Sequence, residues 1–202
     1  MKYVQLEILI KSDSFINSEE WRIIHQHLRS AIEAIKWPPG SDKFLLYPES
    51  GKKRGQGSGV KPIKDAFIEK LEDLDWDTEK RIQITDTDKW GPIDAAKRVS
   101  NKWFAVEWET GNISSSHRAL NKIALGMLTG ALIGGVLVVP TREMYYYLTD
   151  RVGNFEELKP YFPLWRSLPF RNGLLGIIAV EHDGLSSRSP RIPKGTDGRA
   201  LL

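Results

Sequence analysis

The run Leu132-Ile133-Gly134-Gly135-Val136-Leu137-Val138-Val139-Pro140 constrains the fold more than any other stretch of this 202-residue chain. It has the length of a strand, and it lacks the apolar–polar alternation of a strand with one wet face. Such a run suits a strand covered on both sides. It is too short to span a bilayer. Gly173 to Val180 has the same character and ends at Glu181-His182-Asp183. A sheet with two such strands needs apolar helices on each face, and 41% apolar residues supply enough of a core for one domain.

The helices are legible from their period. Ser18 to Lys36 repeats apolar residues at Trp21, Ile24, Leu28, Ile32 and Ile35, with Asn17 and Glu20 placed like a capping box, and Pro38-Pro39-Gly40 ends it. His25 and His27 lie two apart on this helix, do not share a face, and make a poor metal pair. Pro62 opens a second helix with Ile63, Phe67, Leu71 and Leu74 on its buried face, on which Glu69 and Glu72 read as surface charges, Glu69 being kept as a possible accessory acid. A third helix starts at Ser114 and buries Leu120, Ile123, Ala124, Met127 and Leu128; Thr141 to Leu148 and Phe155 to Trp165 also read as helical. Strands are expected near the N-terminus, where Val4, Leu6, Ile8 and Ile10 alternate with polar residues, at Lys80 to Thr85, and on either side of a turn between Asp94 and Lys102. The order is that of a mixed α/β sandwich with a carboxylate cluster at one edge of its sheet.

That cluster carries the chemistry. In an extended strand Phe104, Val106 and Trp108 share one face and Ala105, Glu107 and Glu109 the other. Two carboxylates held side by side raise one another's pKa unless a cation sits between them, and Asp94 arrives from the preceding strand as a third oxygen donor. The plainer alternative is an edge strand with a charged, solvated face. Asp86 and Asp88 read as a polar turn.

The absence of cysteine excludes thiolate metal sites, disulfides and cysteine nucleophiles, and fits a reducing, cytoplasmic setting for a soluble protein with no membrane partner. Net charge is +3, and the pI near 9.0 hides a local asymmetry. Ser50 to Lys61 holds Lys52, Lys53, Arg54 and Lys61, four glycines and no acid; it is either a flexible linker or a loop that lays amides and cations along phosphates, and it lacks Walker spacing. From Gly184 the tail carries Arg188, Arg191, Lys194 and Arg199 against Asp197, so residues 1–183 read as one domain and 184–202 as a basic, flexible arm, either a solubilising end or a clamp.

Pro92-Ile93-Asp94 followed by Glu107-Trp108-Glu109 resembles the active-site signature of the PD-(D/E)XK nucleases, in the variant where the usual lysine is Glu or Gln. The segment from about Ile63 to Asp183 is similar to the BglII/BstYI/BamHI group of type II restriction endonucleases. The resemblance implies a restriction-endonuclease-like mixed β-sheet flanked by helices on both faces, and a homodimer that cuts double-stranded DNA at a short palindrome. It implies Mg²⁺, with Mn²⁺ able to substitute, held by Asp94, Glu107 and the Trp108 carbonyl, with Glu109 in the lysine's place to orient or deprotonate the attacking water. Hard oxygen donors suit those ions. Ser114, Ser115, Ser116, His117 and Arg118 at a helix start would face the DNA, or else cap the helix and meet solvent. Thr141 and Arg142 follow the buried strand where relatives place recognition residues, and Arg151 and Asn154 lie in the next loop with side chains suited to guanine and adenine. The resemblance makes residues 1–183 the catalytic and DNA-binding domain and Arg188, Arg191 and Lys194 part of an arm that clamps DNA. A PD-(D/E)XK nuclease of DNA repair or structure-specific cleavage and a non-catalytic DNA-binding protein are the alternative readings.

Overall fold

The computed structural model describes residues 1–53, 55–85, 91–149, 152–170 and 172–194. Its strands and helices follow the order β1 (Lys2–Lys11), α1 (Asp13–Ile16), α2 (Glu19–Ala34), β2 (Leu45–Leu46), α3 (Lys61–Glu72), β3 (Asp77–Lys80), β4 (Ile93–Val99), β5 (Lys102–Trp108), α4 (Ile113–Thr129), β6 (Leu132–Pro140), α5 (Arg142–Tyr145), α6 (Phe155–Leu158), α7 (Phe162–Arg166), β7 (Leu174–Glu181) and β8 (Gly184–Leu185). Six of the strands form one mixed sheet in the order β1-β7-β6-β5-β4-β3, parallel through β7, β6 and β5 and antiparallel at both flanks. The two apolar runs, β6 and β7, lie inside the sheet and are buried along nearly their whole length.

Two apolar layers cover the two faces. One joins Ile24, Leu28 and Ile32 of α2 and Ile63, Phe67 and Leu71 of α3 to Phe104, Val106, Val136, Val138 and Ile178. The other joins Leu120, Ile123 and Met127 of α4, Phe155 and Leu158 of α6, and Trp165 of α7 to Ala105, Leu137, Val139 and Ile177. The alternation expected of the central strand is therefore present, with Phe104, Val106 and Trp108 on the first face and Ala105 on the second. Gly135 sets the spacing of the second face: a Cβ there would stand 2.6 Å from Ala105 O and 2.8 Å from Ile123 Cγ2, so the glycine lets α4 lie close on β6.

Several local expectations change. The cap of α2 is Ser18, whose hydroxyl accepts from Trp21 N at 3.1 Å, while Asn17 turns back to Asp13 O. The strand expected at Lys80 to Thr85 lies earlier, at Asp77–Lys80, and residues 81–84 have no regular structure. The helix expected from Thr141 to Leu148 is a single turn. The one expected from Phe155 to Trp165 is broken into α6, a 3-10 turn at Lys159–Tyr161 and α7, because Pro160 and Pro163 lack the N–H that a continuous helix uses. Asp86 and Asp88 lie outside the described residues.

The segment from residue 184 to Lys194 packs on the domain. β8 pairs with β2 in parallel, Ser189 and Ile192 are buried, Ser189 Oγ donates to Leu45 O at 2.8 Å, and Gly59 N donates to Ile192 O at 2.9 Å. The glycine-rich loop is likewise tied down: Gly51 N donates to Tyr146 O, Ser58 N to Tyr147 O, and Thr149 N to Ser58 O, at 2.8–2.9 Å. Among the described residues no helix is long and apolar enough to cross a membrane.

Candidate active site

A tight connection at Ser100-Asn101 joins β4 to β5, with Ser100 at φ 53°. The register that pairs Ala95 with Val106 brings Asp94, near the start of β4, level with Glu107, near the end of β5. Both side chains are largely buried, Asp94 at 9% and Glu107 at 8% exposure. Asp94 Oδ2 accepts from Trp108 N at 2.8 Å, which fixes the aspartate against the strand that carries the glutamates. Since β5 is paired on both sides, by β4 and β6, the edge-strand reading does not hold; the carboxylates gather at the ends of interior strands, not at a lateral edge of the sheet.

These groups line an open cleft of about 560 Å³, whose walls are Lys64, Gly91, Pro92, Asp94, Glu107, Trp108, Glu109, Thr110, Ser115, Arg118, Ala119 and Lys122. Burial, and then the charge of Asp94, push the Glu107 carboxyl up to about 7 despite the nearby lysines. Burial also pushes the Glu109 carboxyl up, against the hydrogen bond that its Oε1 accepts from Gly111 N. Among the described residues no three carboxylate or imidazole side chains form a ready-made metal cage. The side chain of Glu109 is turned toward Gly111, which leaves Asp94 and Glu107 as the facing pair.

Sequence reasoning missed two members of the site. Lys64, on α3, sets its Nζ 2.6 Å from Asp94 Oδ1, and Lys122, on α4, makes an ion pair with Glu107 Oε1 while donating to Pro92 O at 3.1 Å. Burial pulls the Lys64 ammonium down, but Asp94 and the acids beyond it hold it above its usual value. A signal for Lys122 was available. Ser115, Arg118, Ala119 and Lys122 all line the cleft and repeat at helical spacing, so a polar stripe on an otherwise apolar helix marks the face turned to the acids. Lys64 had no comparable mark. Glu69, on the same helix, is exposed and does not line the cleft.

The remaining candidates separate by placement. Asn112 caps α4, its Oδ1 accepting from Ser114 N at 3.0 Å and Ser115 N at 3.3 Å. Ser115 and Arg118 face the cleft, Ser114 is exposed, and Ser116 is fully buried beside Gly153. His117 packs on the rings of Tyr161 and Trp165, at 4.4 and 5.4 Å. Thr141 caps α5 and donates to Glu181, and the exposed Arg142 has its backbone N–H on Glu156. Asn154 is fully buried and caps α6, its Oδ1 accepting from Glu157 N at 3.2 Å. Arg188 is exposed, Arg191 pairs with Glu49, and Lys194 is half-buried. Arg151 lies outside the described residues. His25 and His27, set aside as ligands, bond Tyr3 and Trp76.

Comparison with known proteins shows the family. The family model for restriction endonuclease BamHI matches residues 1–199. The type II restriction enzyme OkrAI of Oceanobacter kriegii is 45% identical over 201 residues, covering all of both chains, and the type II restriction enzyme BamHI of Bacillus amyloliquefaciens is 38% identical over 181 residues, 86% of this chain and 81% of that one. Among solved structures, restriction endonuclease BglII complexed with a DNA 16-mer superposes with a TM-score of 0.64 over 89% of this chain and 79% of that chain, at 11% identity, a likeness of fold alone. With the family model spanning nearly the whole sequence and a 45% identical relative matching end to end, the chain belongs to the BamHI family of restriction endonucleases and is a type II, site-specific deoxyribonuclease.

Proposed function

We propose that the enzyme hydrolyses phosphodiester bonds of double-stranded DNA at a short palindromic site, as a cytoplasmic homodimer that uses Mg²⁺, with Mn²⁺ able to substitute. The observation that carries the reading is the facing of Asp94 and Glu107 at one cleft, with Glu107 pushed up to about 7 by burial and by its neighbour's charge. Two facing acids repel one another even with Lys64 and Lys122 beside them, and their hard oxygens suit a small divalent cation. Asp94, Glu107 and the Trp108 carbonyl would hold the ion. When bound, it supplies neutralisation of the phosphate and a lowered pKa for water.

The chain's own groups do the rest. Trp108 N–H holds Asp94 in place, and the bond from Gly111 N holds Glu109, whose raised carboxyl is suited to orient the attacking water and take its proton. Arg118 and Ser115 line the same cleft, where cations and hydroxyls meet a DNA backbone. Ser114, Arg142, Arg188, Arg191 and Lys194 extend the DNA-facing set. A dimer presents one such cleft to each strand, so its two-fold axis calls for a palindromic site.

Incubation with phage DNA and Mg²⁺ tests the reading: discrete bands support it, a smear means a general nuclease of the repair kind, and intact DNA with a gel shift leaves a binding protein. Asp94→Asn should lose cleavage by at least about a thousandfold while still shifting DNA. Retained cleavage in that variant would remove Asp94 from the site.

A further inference from the structure

The two lysines at the cleft come from opposite layers of the fold. Lys64 is on α3, which packs on the first face of the sheet, and Lys122 is on α4, which packs on the second. Each ends on one of the two facing acids. The Lys64 ammonium sits 2.6 Å from Asp94 Oδ1, the oxygen not used by Trp108 N–H. The Lys122 ammonium takes Glu107 Oε1 and is steadied by Pro92 O at 3.1 Å. Lys122 is itself only 8% exposed, and a lysine buried to that degree is tolerated only when paired. Both lysines line the cleft in which the substrate would lie.

We propose that Lys64 and Lys122 are positioning residues that serve as resident counter-cations: they hold Asp94 and Glu107 apart and paired in the metal-free enzyme, yield those oxygens to the incoming divalent ion, and turn their ammonium groups toward the phosphate. The inference rests on Asp94 and Glu107 being the metal acids. An ammonium and a divalent cation held on the same carboxylate repel one another, so each lysine competes with the metal. Once released, each remains tethered to a rigid helix within the cleft and adds positive charge where a phosphodiester arrives. The strand itself offers acids, Glu107 and Glu109, at this end, so the cations that meet Asp94 and Glu107 come from the helices. This role moves two measurable quantities in opposite directions. Removing the lysine charge tightens metal binding and slows cleavage, whereas a merely structural lysine would weaken both.

The test uses the full chain without DNA, titrated calorimetrically with Ca²⁺, and cleavage under single-turnover conditions at saturating Mg²⁺. Lys64→Met, the more exposed substitution, should bind Ca²⁺ about tenfold tighter and cleave at least about tenfold slower, and Lys64→Arg should keep Ca²⁺ affinity near that of the unmodified protein. Lys122→Met should move both quantities the same way; where it fails to fold, Lys64 carries the test alone. In EDTA Lys64→Met should also melt lower, with Ca²⁺ restoring the loss. Ca²⁺ affinity that is unchanged or weaker in Lys64→Met overturns the inference. Asp94→Asn and Glu107→Gln separate the two layers of argument: if they leave Ca²⁺ binding intact, or if the unmodified protein binds none, the metal reading itself fails and the inference with it.

Discussion

Replacing Glu107 by Gln should change the pH dependence of stability in a direction the site fixes in advance. Burial and the charge of Asp94 raise the Glu107 carboxyl from its ordinary 4.5 to about 7 in the folded protein. Below pH 4.5 folded and unfolded chains both carry the proton, and above about 7 neither does. Between those limits the folded protein holds a proton that the unfolded chain has released, so stability falls as pH rises across that window and is level above it. At about 1.4 kcal/mol for each pH unit, the loss between pH 5 and pH 8 attributable to Glu107 is about 3 kcal/mol. Gln cannot titrate, so the variant lacks this slope. Gln stands in for the protonated acid, so the Lys122 ion pair, which forms only where Glu107 is ionised, is already counted in the raised carboxyl, and a remaining difference in packing displaces the whole curve without changing its slope. The assay is urea denaturation in EDTA at intervals from pH 5 to pH 8 on both proteins. The stability difference, unmodified protein minus variant, should fall by about 3 kcal/mol over that range. Parallel curves would refute the claim that Glu107 is held out of its ordinary range, as would a difference that grows with pH.

Other outcomes follow from packing. Phe67 is fully buried and lies 4.8 Å, centroid to centroid, from the Trp108 ring, so Phe67→Ala should lower unfolding free energy by about 3–5 kcal/mol in chemical denaturation and disturb the strand that presents Asp94 and Glu107. Two truncations should separate the arm from the fold. Ending the chain after residue 194 should keep the melting temperature while reducing DNA affinity and the steepness of its salt dependence in gel shifts, whereas ending it after residue 183 removes the buried Ser189 and Ile192 and should lower the melting temperature by several degrees. Salt dependence unchanged by the shorter truncation would remove Arg199 and its neighbours from the DNA-binding surface.

The parts of the fold that were legible in the sequence are those governed by short-range periodicity. The apolar runs of β6 and β7, the alternation along β5 and the faces of α2, α3 and α4 each follow from a repeat of two or about 3.6 residues that the buried layers impose. What was illegible has equally physical causes. Asp77–Lys80 is a polar strand, so no apolar period announces it. Lateral order in a sheet leaves no trace in the sequence of a single strand, which is why β5 could be read as an edge. Asn154 has a side chain suited to reading adenine, yet the same amide caps a helix, and only burial distinguishes the two uses. The tail's composition reads as an arm, but backbone hydrogen bonds from Gly59 and pairing with β2 hold its first half, and composition does not encode such partners.

The site itself divides along the same line. Residues from Asp94 to Lys122 form one continuous device, a hairpin followed by a helix whose cap, Asn112, comes three residues after Glu109. Because the turn at Ser100-Asn101 is tight, the register places Asp94 beside Glu107, and because α4 starts at once, its stripe of Ser115, Arg118 and Lys122 is aimed at the same acids. A reading confined to that window finds the negative charges and part of what balances them. The other balancing charge, Lys64, is thirty residues before Asp94, on a helix from the opposite layer, and reaches the site only because Phe67 and Leu71 anchor α3 against the sheet beneath Trp108. The acids are therefore a local property of the sequence, whereas the neutrality of the site is a property of the packed fold.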